Sequence, residues 1–157
     1  MQLASLLTPD HVVPDMKADD HWPAIVELVD HLATRDLLFP EDRESALEAL
    51  KHREEFTSTG VGSGVAIPHA FSEKLRHIIA VFGRSRQGIN FDAIDDHPVH
   101  FVVLFLVPKE DYDLHLQTLA AIARMFSAQN QGIKEDLLQA AGADGLLAVI
   151  ARSPVRA

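Results

Sequence analysis

Residues 58–70 read Ser-Thr-Gly-Val-Gly-Ser-Gly-Val-Ala-Ile-Pro-His-Ala. Three glycines alternate (Gly60, Gly62, Gly64), and the apolar run Val65, Ala66, Ile67 leads straight into Pro68 and His69. Proline fixes its own φ and pushes Ile67 into extended geometry. The chain should therefore reach His69 as a strand that stops at a defined angle. Glycines let backbone approach a ligand closely, and successive N–H groups in such a loop can cup an anion. A neutral imidazole beside that cup is a nucleophile able to take a phosphoryl group on one ring nitrogen. The same residues also read as a glycine-rich hairpin followed by a partly buried histidine. Spacing alone favours the plainer reading, because short motifs recur by chance.

Other side chains can join His69. His115 stands four residues before Leu119, seven before Ile122 and eleven before Phe126. Helical spacing puts it on the inward face, at the start of a helix. It reads equally as a core histidine bonded to a carbonyl and as a second imidazole leaning over a site, at the helix end that favours anions. Arg53 falls near the end of another helix. Beside a phosphate it would be a bidentate clamp; elsewhere it is a solvated cation. Ser58 and Thr59 can give hydroxyls to the same anion or cap the turn. Gly64 completes this candidate phosphate-binding set.

Several chemistries are disfavoured or excluded. No Gly-Lys-Ser/Thr follows the glycines, the dinucleotide fingerprint lacks its third-glycine spacing, and the Gly-x-Ser-x-Gly elbow is absent. The chain has no cysteine, so disulfides, thiolate metal sites and cysteine nucleophiles drop out. His97 and His100 suggest a metal pair, but Pro98 and the onset of a strand keep them from a common face. A formal net charge of -9 argues against nucleic acid or anionic membrane as the main partner. The N-terminus lacks a basic region and a long apolar stretch, and no run approaches a membrane span. A cytoplasmic protein without membrane insertion is expected.

The elements that must hold these residues follow from periodicity. The first ten residues read as a helical turn or lead-in, and Val12-Val13 before Pro14 as a short edge strand. Asp19 and Asp20 are N-cap candidates for a helix to about residue 35, with Ile25, Leu28, Val29 and Leu32 on its apolar stripe. A second helix opens at Pro40, with Ala46, Leu47, Leu50 and Phe56 on its apolar side. Residues 72–76 read as a loop, 78–85 as a buried strand, and Arg86-Gln87-Gly88 as a turn. Residues 89–96 form a compact loop anchored by Phe91 and Ile94. Residues 99–107 are a strand apolar on both faces. Asp111 or Asp113 caps the next helix, residues 128–132 break it, and two short helices follow. His11, His21, His31, His52 and His77 read as surface residues. At 47% apolar residues the chain can build a full core, and 157 residues suit a single α/β domain, residues 1–157 with a core of about 5–151.

The string from Arg53 to His69 closely resembles the signature of type-2 enzyme IIA domains. These belong to the fructose/mannitol class of the phosphoenolpyruvate-dependent sugar phosphotransferase system. Three further segments match in order: Gly88 to Asp95, Pro98 to Pro108, and His115 to Arg124. The chain is most similar to the nitrogen-regulatory (PtsN-like) branch. Ala70 stands where that branch often has glycine, and Phe71 replaces a common lysine. The resemblance implies a small mixed β-sheet between helices. It implies that His69 is the phosphorylated nucleophile, that His115 and Arg53 share the active site, and that no cofactor is needed. It implies a phosphotransferase charged by the small phosphocarrier HPr or its nitrogen-branch equivalent NPr, chiefly as a phosphorylation-dependent regulator of a target protein. The alternative role is sugar transport, passing phosphate to the cysteine of a separate IIB subunit.

Overall fold

The computed structural model describes residues 2–56, 58–127, 130 and 132–152. Two short 3-10 turns, Leu3–Leu6 and Pro9–His11, lead into β1 (Val12–Val13). Then come α1 (His21–Thr34), a 3-10 turn, α2 (Arg43–Phe56), β2 (Gly60–Gly62), β3 (Val65–Ala66) and β4 (His69–Ser72). The long strands β5 (Ile79–Ile89) and β6 (Val99–Pro108) follow. Three helices end the described chain: α3 (Tyr112–Met125), α4 (Ile133–Gln139) and α5 (Gly142–Arg152).

The six strands form one mixed sheet ordered β1-β5-β6-β3-β2, with β4 also on β6. The middle strand β6 is buried on both faces, and its side chains alternate between two cores. Val102, Leu104 and Leu106 meet the apolar stripes of α1 and α2. Phe101, Val103, Phe105 and Val107 meet α3, α4, α5 and the N-terminal turn. That double burial is why residues 99–107 read as an unbroken apolar run. The fold is α/β, a small mixed sheet between two helical layers, as the resemblance implies.

Several local expectations change. The chain does not stop at His69. β3 and β4 lie end to end along one edge of β6, both parallel to it, with Ile67 and Pro68 as the interruption. Pro68 has no N–H to give, but its carbonyl accepts from Phe105 N at 3.0 Å, so the ladder resumes at once. β5 likewise runs through the expected turn at residues 86–88, because a register shift between Arg84 and Ile89 absorbs the extra residues. Phe56 is 75% exposed at the end of α2, and Ile94 is 78% exposed, so of the two expected loop anchors Phe91 alone is buried. Of the two N-cap candidates before α3, Asp111 accepts from Leu114 N at 3.1 Å. The expected helix break at residues 128–132 falls mostly outside the described residues.

Arg84 on β5 is buried to 1% exposure. Its guanidinium donates to Pro14 O at 2.9 Å, Leu137 O at 2.8 Å and Ala140 O at 2.6 Å. It thus supplies donors to the orphaned C-terminal carbonyls of α4 and pins that layer to the sheet. Arg84→Met should keep the packing volume but strand these acceptors. We expect a loss of about 3 kcal/mol, read as a lower midpoint in chemical denaturation.

Candidate functional site

The site is built where β4 passes the middle of β6. His69 pairs with Phe105, and parallel partners point to the same face of the sheet. The two rings stack, 5.1 Å apart and 10° from parallel. Phe71, two residues on, shares that face. α3 follows β6 after a short turn and starts directly over it, which brings down His115. The His115 ring lies 5.1 Å from His69 and 4.9 Å from Phe71. Tyr112 closes the cluster, 5.7 Å from His115. Thus one imidazole comes from the sheet, the other from a helix N-terminus, and aromatic rings floor and flank both.

Protonation can be read from the partners. His69 Nδ1 lies 2.7 Å from Ile67 O. A carbonyl oxygen only accepts, so Nδ1 carries the hydrogen and the lone pair is on Nε2. Burial holds the His69 pKa below its usual value. The Ile67 hydrogen bond opposes this, and the charges of Arg53 and His115 add to it. Burial, with Arg53, also holds His115 low. Both rings are therefore neutral near pH 7. His115 Nδ1 is buried without a hydrogen-bond partner, which leaves the ring's polar potential uncommitted on that side. Arg53, in the last turn of α2, comes from the opposite helical layer. α2 packs against β4, and the Arg53 charge is felt by both histidines. His69, His115 and Arg53 are thus brought together.

Ser58, Thr59 and Gly64 are placed differently. Ser58 Oγ donates to Phe91 O at 2.6 Å and accepts from Gly60 N at 3.0 Å, as a turn clasp. The Thr59 hydroxyl donates to Glu54 Oε1, and Thr59 N donates to Glu54 Oε2 at 3.2 Å. Each hydroxyl has one hydrogen, and both are spent on internal acceptors. Gly64, with φ +81°, follows Ser63 at φ +58° in the tight turn between β2 and β3. It precedes the Val65–Phe101 pair, whereas His69 pairs with Phe105 four residues along β6. At the rise of a strand that is a separation of about 13 Å or more. The glycine loop does bind an anion through its backbone, but the anion is internal: Ser63 N donates to Asp95 Oδ2 at 2.9 Å. Gly60 is needed for closeness, since a Cβ there would sit 3.0 Å from Ala93 Cα. The glycines therefore let the hairpin latch to residues 91–97. The hairpin reading holds for residues 60–66, next to the strand that carries His69.

Sequence reasoning missed Glu54, Phe105 and His21. His21 is not a bystander at the surface: its Nε2 lies 2.6 Å from Glu54 Oε2 and its Nδ1 lies 3.3 Å from Asp92 Oδ2. Its ring packs on Phe91 at 4.1 Å. The adjacency of Glu54 to Arg53 was the one available signal. Nothing local marks Phe105 within its apolar run. The described residues hold no group of three or more potential metal-ligating side chains. Among them, no helix is long and apolar enough to cross a membrane.

The fold is shared with known proteins. The nitrogen regulatory protein IIA-Ntr of Neisseria meningitidis superposes with a TM-score of 0.82 at 30% identity, over 94% of this chain and 98% of that one. The chain belongs to the family described as phosphoenolpyruvate-dependent sugar phosphotransferase system, EIIA 2, whose model matches residues 5–153. A nitrogen regulatory protein of Bradyrhizobium diazoefficiens is 33% identical over 157 residues, all of this chain and 99% of the relative. A PTS system fructose-specific EIIA component of Haloferax volcanii is 42% identical over 100 residues, 64% of each protein, so that match spans just under two thirds of its length.

The depressed His69 pKa has a consequence for stability. The unfolded chain takes up a proton near the usual 6.5, whereas folded His69 takes one only at lower pH. Its contribution is fully present above pH 6.5 and is lost as pH falls through the folded value. Denaturation of wild type and His69→Ala in parallel should show the wild type losing ground to the variant between pH 7.5 and about 5.5. A difference that does not change with pH would contradict a half-buried, neutral His69.

Proposed function

We propose that this protein is a phosphohistidine-carrying IIA protein that accepts a phosphoryl group on His69 Nε2. The observation that carries this reading is the 2.7 Å tie from His69 Nδ1 to Ile67 O, which commits one nitrogen and leaves the other as the nucleophile. The donor is the phosphohistidine of a small carrier protein of the HPr or NPr type, in the cytoplasm. The Nε2 lone pair forms the new N–P bond as the carrier's N–P bond breaks, and the carrier nitrogen leaves with that electron pair. No net proton moves in the transfer step. Such transfer depends on alignment and charge stabilisation more than on covalent help. His115 and Arg53 supply that stabilisation to the equatorial oxygens. The His69 ring becomes cationic on phosphorylation, and the Ile67 carbonyl dipole is placed to steady it.

The main physiological role we infer is regulatory. Likeness to nitrogen regulatory proteins extends over the full chain. A phosphoryl group puts close to two negative charges on one half-buried ring at the edge of the sheet, enough to reverse an interface with a target protein. The second reading is favoured by the fructose-specific relative: transfer onward to the cysteine of a separate IIB protein.

Incubation with phosphoenolpyruvate, enzyme I and the carrier should label wild type with acid-labile phosphate on Nε2 of His69 and leave His69→Ala unlabelled. Label on another residue would refute the assignment. Arg53→Ala should still be labelled, but with an initial rate lower by about 10- to 100-fold in a rapid-quench assay. Affinity capture with the phosphorylated protein and with His69→Ala should recover different partner sets. Identical sets would count against the regulatory role.

A further inference from the structure

His21 lies outside the chemistry proposed above, yet a continuous run of polar contacts joins it to His69. His21 Nε2 meets Glu54 Oε2 at 2.6 Å. Glu54 takes both the hydroxyl and the N–H of Thr59. Thr59 O accepts from Ile67 N at 2.9 Å, and Ile67 O accepts from His69 Nδ1 at 2.7 Å. The run crosses from the start of α1 to the end of α2, then to the hairpin and the nucleophile. Glu54 is also the chain neighbour of Arg53.

The charge state of His21 follows from its partners. Both ring nitrogens face carboxylate oxygens, Glu54 on one side and Asp92 on the other. Carboxylates only accept, so both nitrogens carry hydrogen and the ring is an imidazolium. The groups around it are Glu54 and Lys51 and Glu55 from α2, Asp92 from the loop after β5, and Asp20 beside it; they line one shallow pocket. Four of these five are acids. Burial alone would lower the His21 pKa, but hydrogen bonds to Glu54 and Asp92 override it and raise the value. The Glu54 carboxylate is buried, with its side chain 9% exposed. Burial opposes its charge, while His21 and Thr59 hold it ionised.

We propose that His21, as an imidazolium bridging Glu54 and Asp92, is a positioning residue for His69: it fixes Glu54, Glu54 fixes Thr59, and Thr59 fixes the Ile67 peptide that orients the nucleophile. The inference rests on His69 being the phosphoryl acceptor. Loss of one proton from His21 Nδ1 leaves Nε2–H on Glu54 but sets a lone pair against Asp92. It also takes the imidazolium charge away from the buried Glu54 carboxylate. The alignment of His69 then loosens, so the site is tuned by pH as His21 titrates, above its ordinary 6.5.

The test compares wild type, His21→Gln and His21→Lys as acceptors from the same phosphorylated carrier between pH 6 and 9. At pH 6.5 His21→Gln should accept about tenfold more slowly, since small misplacements of a reacting group cost up to about 100-fold. His21→Lys, which keeps a cation on Glu54, should recover most of that loss. The ratio of wild type to His21→Lys should fall as pH rises through the His21 titration, which cancels any pH dependence of the carrier. Wild-type rates in His21→Gln at every pH, with a flat ratio, would overturn the proposal. Absence of label on His69 in wild type would instead refute the acceptor assignment. If His21→Gln melts, NMR titration of wild type decides: the His69 ring signal should show a second inflection at the pH where His21 titrates, above 6.5. Independent titrations would sink the coupling.

Discussion

The parallel register of residues 65–72 on β6 is the constraint on which the rest of the structure depends. It sets His69 against Phe105 and Ala66 against Val102. Because the side-chain period of a strand is two, a slip of one residue would turn His69 toward the α1–α2 core and Ala70 toward α3. The register is held from both faces. Ala66 and Ala70 are small enough to lie under α1 and α2, while Val65 faces the other core. β6, buried on both sides, cannot shift without exposing one apolar row or the other.

Given that register, the two helical layers converge on one edge of the sheet. α3 brings His115 from above, because a short turn capped by Asp111 starts the helix over the end of β6. α2 brings Arg53 from the other layer, because its last turn reaches the hairpin that supports His69. The consequence is electrostatic. Two imidazoles are kept neutral by burial and by a nearby guanidinium, in a protein of net charge -9. A neutral imidazole beside a localised cation suits the proposed phosphoryl transfer, and the aromatic rings around it leave few competing acceptors. The acidic remainder of the surface would repel a phosphoryl donor that approached elsewhere.

Polar groups near the site divide their labour by what they can still give. Ser58, Thr59 and the loop N–H of Ser63 all have internal acceptors, Phe91 O, Glu54 and Asp95. They build the support rather than the contact surface. Each internal bond satisfies a group that would otherwise be costly to bury. Each also removes a donor from the set a phosphate could use. What converges at the site besides this support is two rings and one guanidinium.

The sequence by itself determined the main helices, the doubly buried strand at residues 99–107, the hairpin glycines and the identity of His69, His115 and Arg53 as candidates. These are legible because periodicity, turn chemistry and residue type are local properties. The run at residues 99–107 could only be a strand covered on both faces, and His115 could only lie on the inward side of its helix. What tertiary structure decided is where partners from distant segments meet. That β4 continues past His69 depends on pairing with β6, and that β5 passes through residues 86–88 depends on a register shift. The Glu54–His21 pair joins residues 33 apart, and the Ser63–Asp95 latch joins residues 32 apart. No local spacing encodes such meetings. They also settle whether a hydroxyl or an N–H is left for a ligand, which is why Ser58, Thr59 and Gly64 look alike in sequence to a phosphate-binding set and serve in the fold as its scaffold.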